Sequence, residues 1–281
     1  MKRGALSYAG RVSKTHMKMT LHSLIPSSLA LMCALVPAAV AAEPPIVPMA
    51  GSSAPVTGVS APPAPLMAPS EKQWTFACSA GWTSRYISEG IDCAPGTSIW
   101  EVVPSATWND ATTLSAWYAS GVEDAYDEVD VVLSHTFTAG KWSLTPWYEH
   151  QFYMTPNETI ANPAVTIARD IADGLSLGFD AQWKIEHKNI EGYYDVFLQG
   201  EWQTSPSWSI ASMIRFGYNS GYNVSVDDGA NCIDYSVKIS WRVSEQVSLS
   251  ASVLYSQAAT VLRRAELGDE LAYGIAVGFE F

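Results

Sequence analysis

The sequence predicts an all-β protein: a transmembrane antiparallel up-and-down β-barrel of about twelve strands, behind an export leader and a spacer. Three observations predict it. Apolar residues make up 48% of the chain, yet no apolar run after residue 42 is long enough for a spanning helix. From residue 72 onward apolar and polar residues alternate with the period of a strand whose two faces meet different surroundings. The connections between these runs are by turns short and long, as in a meander with tight turns at one end and loops at the other.

The leader comes first. Lys2, Arg3, Arg11, Lys14 and Lys18 precede residue 43 with no acid among them, and an apolar stretch from Leu21 to Val40 ends in Val40-Ala41-Ala42. This is the pattern of a secretory signal peptide over residues 1–42, with Met17 and Met19 as alternative starts. Met32 is too large to precede a lipoprotein Cys, so Cys33 is expected to leave with the leader. Five of the 16 bases go with it, which leaves 11 against 28 acids and a net charge of −17. So acidic a chain is not built to neutralise phosphates, and nucleic acid is excluded as a partner. Residues 43–71 are Pro, Ala, Ser and Gly without period, a segment unable to bury enough surface to offset its ordering entropy. They read as a periplasmic spacer, and 72–281 as the barrel.

The alternating runs fall at 73–87, 98–109, 112–122, 128–138, 142–154, 163–172, 175–186, 192–204, 207–219, 232–243, 246–257 and 270–281. Arg169 stands on the apolar face of the sixth, and Leu254 breaks the alternation of the eleventh. Tight turns are expected at 109–110, 139–141, 173–174, 205–207 and 244–246, and longer loops at 88–97, 123–127, 155–162, 187–191, 220–231 and 258–269. A secreted β-sandwich or a soluble barrel also alternates, but its core would not hold the Ser, Gly, Asp, Lys and Arg that share one face here. Trp74, Trp108, Trp142, Trp202, Trp208 and Trp241 cluster toward the short turns. Tyr86, Tyr118, Tyr194, Tyr218, Tyr255 and Tyr273 cluster toward the loops, giving two aromatic girdles at the lipid boundaries. The expected surroundings are therefore outer-membrane lipid and lipopolysaccharide. Acidic outer loops either bridge to lipid phosphates through divalent cations or are simply solvated. Phe281 ends the chain on the apolar face, and resembles the signal read by the barrel-assembly machinery.

Ser84-Arg85-Tyr86 followed by Gly90-Ile91, and Trp117-Tyr118-Ala119-Ser120-Gly121-Val122 followed by Glu128-Val129-Asp130, resemble the first two hairpins of an uncharacterised proteobacterial outer-membrane β-barrel family. The resemblance covers roughly residues 74–156. More distantly the chain resembles twelve-stranded nucleoside-channel-like barrels. Neither resemblance supplies catalytic residues.

Alternation places Arg85, Glu101, Asp130, Glu149, Asp170, Asp180, Lys184, Glu186, Asp195, Glu201, Arg215, Asp234, Lys238, Arg242 and Glu280 toward the lumen, ten acids and five bases. Such a lining favours cations and neutral polar solutes over anions. Trp117, Trp147, Tyr153, Tyr193 and Phe197 also point inward and narrow the bore. The expected function is a narrow passive channel for small polar or cationic solutes, the identity of the cargo being open. The alternative is a closed structural or surface-binding barrel, its charges paired across the lumen.

A lipid-modifying enzyme is a third reading, with His150 near the outer rim as its candidate residue, but no catalytic triad is assigned, because strand neighbours point to opposite faces. No metal-ligand spacing or nucleotide fingerprint occurs, so no metal and no cofactor are expected. Cys78 reads as a small hydrophobe on the apolar face. Cys93 and Cys232 both lie at the outer rim and are the candidate disulfide.

Overall fold

The computed structural model describes residues 73–281 except 125, 155–156, 187–188 and 223–227, so the leader and the spacer lie outside the described residues. In chain order the elements are β1 (Trp74–Thr83), the two-residue strands β2 (Ile87–Ser88) and β3 (Ile91–Asp92), β4 (Ile99–Trp108), β5 (Thr112–Gly121), β6 (Asp127–His135), β7 (Phe137–Ala139), β8 (Trp142–Tyr153), β9 (Glu158–Ala172), β10 (Leu175–Glu186), β11 (Asn189–Ser205), β12 (Trp208–Ser220), β13 (Asp228–Arg242), β14 (Val247–Ala258), the helix α1 (Thr260–Arg264) and β15 (Glu270–Glu280). β7 continues β6 past a break at Thr136, so the sheet has twelve barrel positions.

Each barrel strand is antiparallel to both neighbours, and the sheet closes on itself. β1 pairs with β15 from Ala77↔Glu280 to Thr83↔Gly274, and β6 pairs with β8 from Glu128↔Tyr153 to Ser134↔Trp147. Closure satisfies the backbone that an open edge would leave unpaired in hydrocarbon. The start of β1 meets the C-terminal residue at the short-turn end, where Phe281 N donates to Phe76 O at 2.8 Å and Phe76 N to Phe281 O at 3.2 Å. Tight turns belong at the periplasmic end of such a barrel.

The strands differ from the sequence expectation at the outer end. β9, β11 and β13 begin at Glu158, Asn189 and Asp228, earlier than the alternation suggested, because their ladders with β8, β10 and β12 run on to Tyr153↔Glu158, Glu186↔Asn189 and Ser220↔Asp228. β1 instead stops at Thr83, Ser84 keeps a last bond from its N–H to Tyr273 O at 2.9 Å, and residues 85–97 leave the wall.

The exterior is apolar along its length. On β13, Val237, Ile239 and Trp241 are 47%, 43% and 41% exposed, values that a water-soluble sheet would not tolerate on a whole face. Trp208 and Trp241 stack at 5.8 Å in the periplasmic girdle, and the outward Arg169 lays its guanidinium 5.4 Å from the Trp142 ring centroid. That contact explains how a base sits on the lipid face: it is near the interface and shielded by an aromatic ring.

Inside, two rings lie flat on glycines of the adjacent strand. A Cβ at Gly178 would stand 2.1 Å from Phe197 Cζ, and one at Gly217 would stand 1.9 Å from the Tyr193 hydroxyl. Phe197 and Tyr193 are each 1% exposed, so neither ring has room to move away. Gly178→Val is expected to cost about 1–3 kcal/mol by overpacking, read as a lower urea midpoint for the folded barrel. An unchanged midpoint would show that the ring can be displaced freely.

Candidate functional site: the lumen and its inward hairpin

The lumen has two unlike halves. Toward the periplasm its β11–β14 wall is open to water: the inward-facing Glu201, Gln203 and Arg242 are exposed, and Lys238, Ser240 and Ser252 are half-buried. Toward the outside it is packed shut. Glu128, Asn162, Asn219, Asn231 and Ser256 are 0% exposed, and Asp130 and Asp234 are 1% exposed.

The closing element is the β2–β3 hairpin. Ile87 pairs with Asp92 and Ser88 with Ile91, leaving a two-residue turn, Glu89-Gly90. Both turn residues have positive φ, 44° and 80°, as the tight hairpin turn that matches strand twist requires. Gly90 is required twice over, since a Cβ there would also meet Leu262 Cδ1 at 2.7 Å and Cys232 Cβ at 2.8 Å. The tip crosses the lumen. Gln182 Nε2 of β10 donates to Glu89 Oε1 at 3.0 Å, and Asn231 Nδ2 of β13 donates to Glu89 O at 2.5 Å. Ile91 packs against Cys232, Ala258 and Leu262, the last carried by α1 in the final outer connection. At its base Tyr86 packs on Trp117, with ring centroids 4.9 Å apart, and on Tyr126 at 5.9 Å. Burial, with Glu128 beside it, pushes the Tyr86 hydroxyl well above its ordinary pKa. The next outer loop braces this one. Thr97 Oγ1 and Ser98 N each donate to Glu123 Oε2 at 2.8 Å, and the Thr97 bond foremost holds the Glu123 carboxyl below its usual range. That tie is present at neutral pH and is lost only as acid takes pH down through the lowered value.

Beneath the hairpin the charge is one-sided. Among the described residues the buried charged side chains are Glu89, Glu128, Asp130, Glu149, Asp180, Asp195 and Asp234, against Arg215 alone. Arg215 is clamped on Asp234, with Nη2 to Oδ2 at 2.6 Å and Nε to Oδ2 at 3.0 Å, and its Nη1 lies 3.8 Å from Asp195 Oδ2. Ser256 Oγ donates to Asp234 Oδ1 at 2.5 Å, Asn162 Nδ2 donates to Glu149 Oε2 at 3.0 Å, and Thr166 and Trp147 Nε1 both donate to Asp180.

Asp130, Glu149, Asp180, Asp195, Arg215 and Asp234 line the packed outer half, and Glu101 accepts from Trp117 Nε1 at 2.8 Å. Lys184 is half-buried beside Glu191 in the register, and Glu201, Lys238 and Arg242 line the open half. The Glu186 side chain lies outside the described residues.

Three expectations are corrected. Arg85 does not line the bore: β1 has ended before it, so strand parity no longer applies, and it pairs with Glu270 at the rim. Tyr86 is not in the outer girdle, because it turns inward with the hairpin and is 7% exposed. Cys93 and Cys232 are not bonded; both are free thiols, with Cys93 Sγ on Ile91 O at 3.6 Å and Cys232 Sγ against the Tyr193 hydroxyl at 3.3 Å. The rim location was right, but Cys232 is buried in the wall while Cys93 is exposed. His150 faces outward, bonded to the Tyr148 hydroxyl at 3.0 Å and packed on Phe152 at 4.4 Å.

Sequence reasoning missed Glu89, Gln182 and Asn231. The available signal was an apolar loop: Ile87 and Ile91 flank Glu89-Gly90, and two isoleucines beside a turn pair mark a hairpin that needs something to pack on.

No protein-family model and no curated protein matches the sequence. Solved structures do match the fold. The NanC porin superposes with a TM-score of 0.51 at 12% identity, covering 73% of this chain and 98% of that one. The KdgM porin superposes with a TM-score of 0.52 at 12% identity, covering 73% of this chain and 99% of that one. KdgM in complex with disordered oligogalacturonate gives 0.51 at 11% identity, over 74% and 99%. The fold is that of a porin barrel. These neighbours are twelve-stranded outer-membrane porins, and no family-level or sequence-level match accompanies the resemblance to an uncharacterised proteobacterial family. A closed barrel, apolar outside and polar within, belongs to the outer membrane.

Proposed function

We propose that this chain is a narrow passive outer-membrane channel for small polar or cationic solutes, preceded, once the leader is cleaved, by a periplasmic spacer over residues 43–71. The observation that carries the reading is the lining: a polar lumen, open to water along one wall of its periplasmic half, whose buried charge among the described residues is acidic apart from Arg215. Carboxylates facing a confined path raise the local concentration of cations and repel anions. One solved KdgM porin is in complex with oligogalacturonate, an anionic chain. The acidic chamber here is the wrong sign for such a solute.

The packed outer half favours a second reading, a barrel closed at rest. The two readings meet at the hairpin, which belongs to no barrel strand and can leave the lumen without opening the sheet. Purified full chain in planar bilayers is expected to give discrete conductance steps, interrupted by long closures. Bilayers that stay silent, with the protein shown to be inserted and folded, would favour the permanently closed barrel.

A further inference from the structure

Among the described residues, seven buried side-chain polar atoms have no hydrogen-bond partner, and all seven are oxygens. They are Glu128 Oε1, both carboxylate oxygens of Asp130, Asn162 Oδ1, Asp195 Oδ1, Asn231 Oδ1 and Glu280 Oε1. All but the last belong to the outer chamber. Buried polar atoms are normally paired, and an unpaired set of one kind points to something missing of the opposite kind. Here the shortage is of donors and of positive charge. The two asparagines are neutral, so the deficit is not merely a crowd of acids.

The missing donor could be a metal ion or an amine. Among the described residues no three His, Cys, Asp or Glu side chains are grouped to hold a metal ion. The unpaired oxygens are instead distributed around the wall, on β6, β9, β11 and β13. One compact ion cannot reach acceptors spread in this way. Ammonium groups strung on a flexible chain can, and each brings three N–H donors. Tyr86, Trp117 and Tyr126 pack together next to Glu128, to which Tyr126 donates its hydroxyl, and their ring faces suit a cation's flanking methylenes and charge.

We propose that the outer chamber is a binding site for an aliphatic polyamine cation, entered when the β2–β3 hairpin lifts. In the closed arrangement the hairpin occupies this volume. Its Glu89 accepts from Gln182 and Asn231 and is buried among the acids of the wall. The hairpin therefore seals an acid-rich chamber with a further acid. A cation entering supplies the donors the wall lacks. This deepens the channel reading by naming a solute class, yet it rests on entry to the chamber, not on conduction.

The test is calorimetric titration of the folded full chain in detergent with spermidine, and with magnesium chloride in parallel. Saturable spermidine binding is expected, weaker by about tenfold or more in Asp130→Asn, in line with the loss of a charged hydrogen bond. Glu128→Gln and Asn162→Leu, checked for heat-modifiable mobility, are expected to weaken it as well, so the outcome does not hang on one variant's folding. Glu266→Gln, in an exposed loop, should leave it unchanged. No saturable heat, equal affinity in all three wall variants, or displacement by equimolar magnesium would overturn the assignment. A barrel that binds spermidine but stays silent in bilayers supports this site and contradicts the channel alone. A barrel that conducts without binding does the reverse.

Discussion

Arg215→Leu is expected to destabilise the folded barrel by about 3–5 kcal/mol, the range for removing one partner of a buried ion pair. The guanidinium is 8% exposed and is the one base among the described buried charges. It holds Asp234 through two bonds, at 2.6 and 3.0 Å, and stands 3.8 Å from Asp195. Without it both carboxylates remain in a sealed chamber beside Asp180, which pairs with Asp195 across the β10–β11 ladder. The measurement is the urea midpoint of the folded, heat-modifiable species in lipid vesicles. The double variant Arg215→Met with Asp234→Leu should recover part of the loss, because one orphaned carboxylate leaves with its partner; Asp195 still lacks its base. A single variant as stable as the parent would mean that the chamber is already neutralised by other means.

Replacing residues 87–92 by two glycines is expected to raise single-channel conductance severalfold and to abolish the long closures. Those six residues form a separate two-stranded sheet, so the barrel ladder survives their loss. What goes is the tip that bridges β10 and β13 and the Ile91 contact with Cys232 and Leu262. The buried acids then face water and the bore is set by the wall alone. A milder version locks the hairpin instead. Ile91→Cys beside the native Cys232 should form a disulfide under oxidation, silencing the channel until a reductant is added. Conductance indifferent to both changes would show that the constriction lies elsewhere.

The barrel was legible because its signal is local. A period of two sorts β12, β14, β15 and the part of β13 after Cys232 to lipid or lumen, including the inward Leu254 opposite Ser236; it breaks at the bulge on β13, where Asn231 and Cys232 are both buried. The inward aromatics Trp117, Tyr193 and Phe197 followed from the same parity. The hairpin was not legible for the opposite reason. Ser84 to Ser88 go on alternating after Thr83, so nothing local says that the chain leaves the wall. What turns it inward is tertiary: the Tyr86 ring on Trp117, the Glu89 carbonyl on Asn231, and Gly90 seated on Cys232. Contacts between residues 89 and 231 carry no periodicity, and the Arg85 and Tyr86 assignments failed with them. The distribution of charge was half legible. Counting inward acids showed the excess, but only the fold shows that it is concentrated in the sealed half, while in the open one Glu201 shares the lining with two bases, Lys238 and Arg242.

The most direct test of a cation-preferring channel is the sign of the reversal potential of the full chain in a planar bilayer under a steep KCl gradient. The acidic chamber predicts a potential displaced toward the potassium equilibrium value, and more strongly so at low than at high ionic strength, because salt screens the lining. A potential displaced toward the chloride value would contradict the account, since a lining whose described buried charged side chains are seven acids and one base is expected to favour cations.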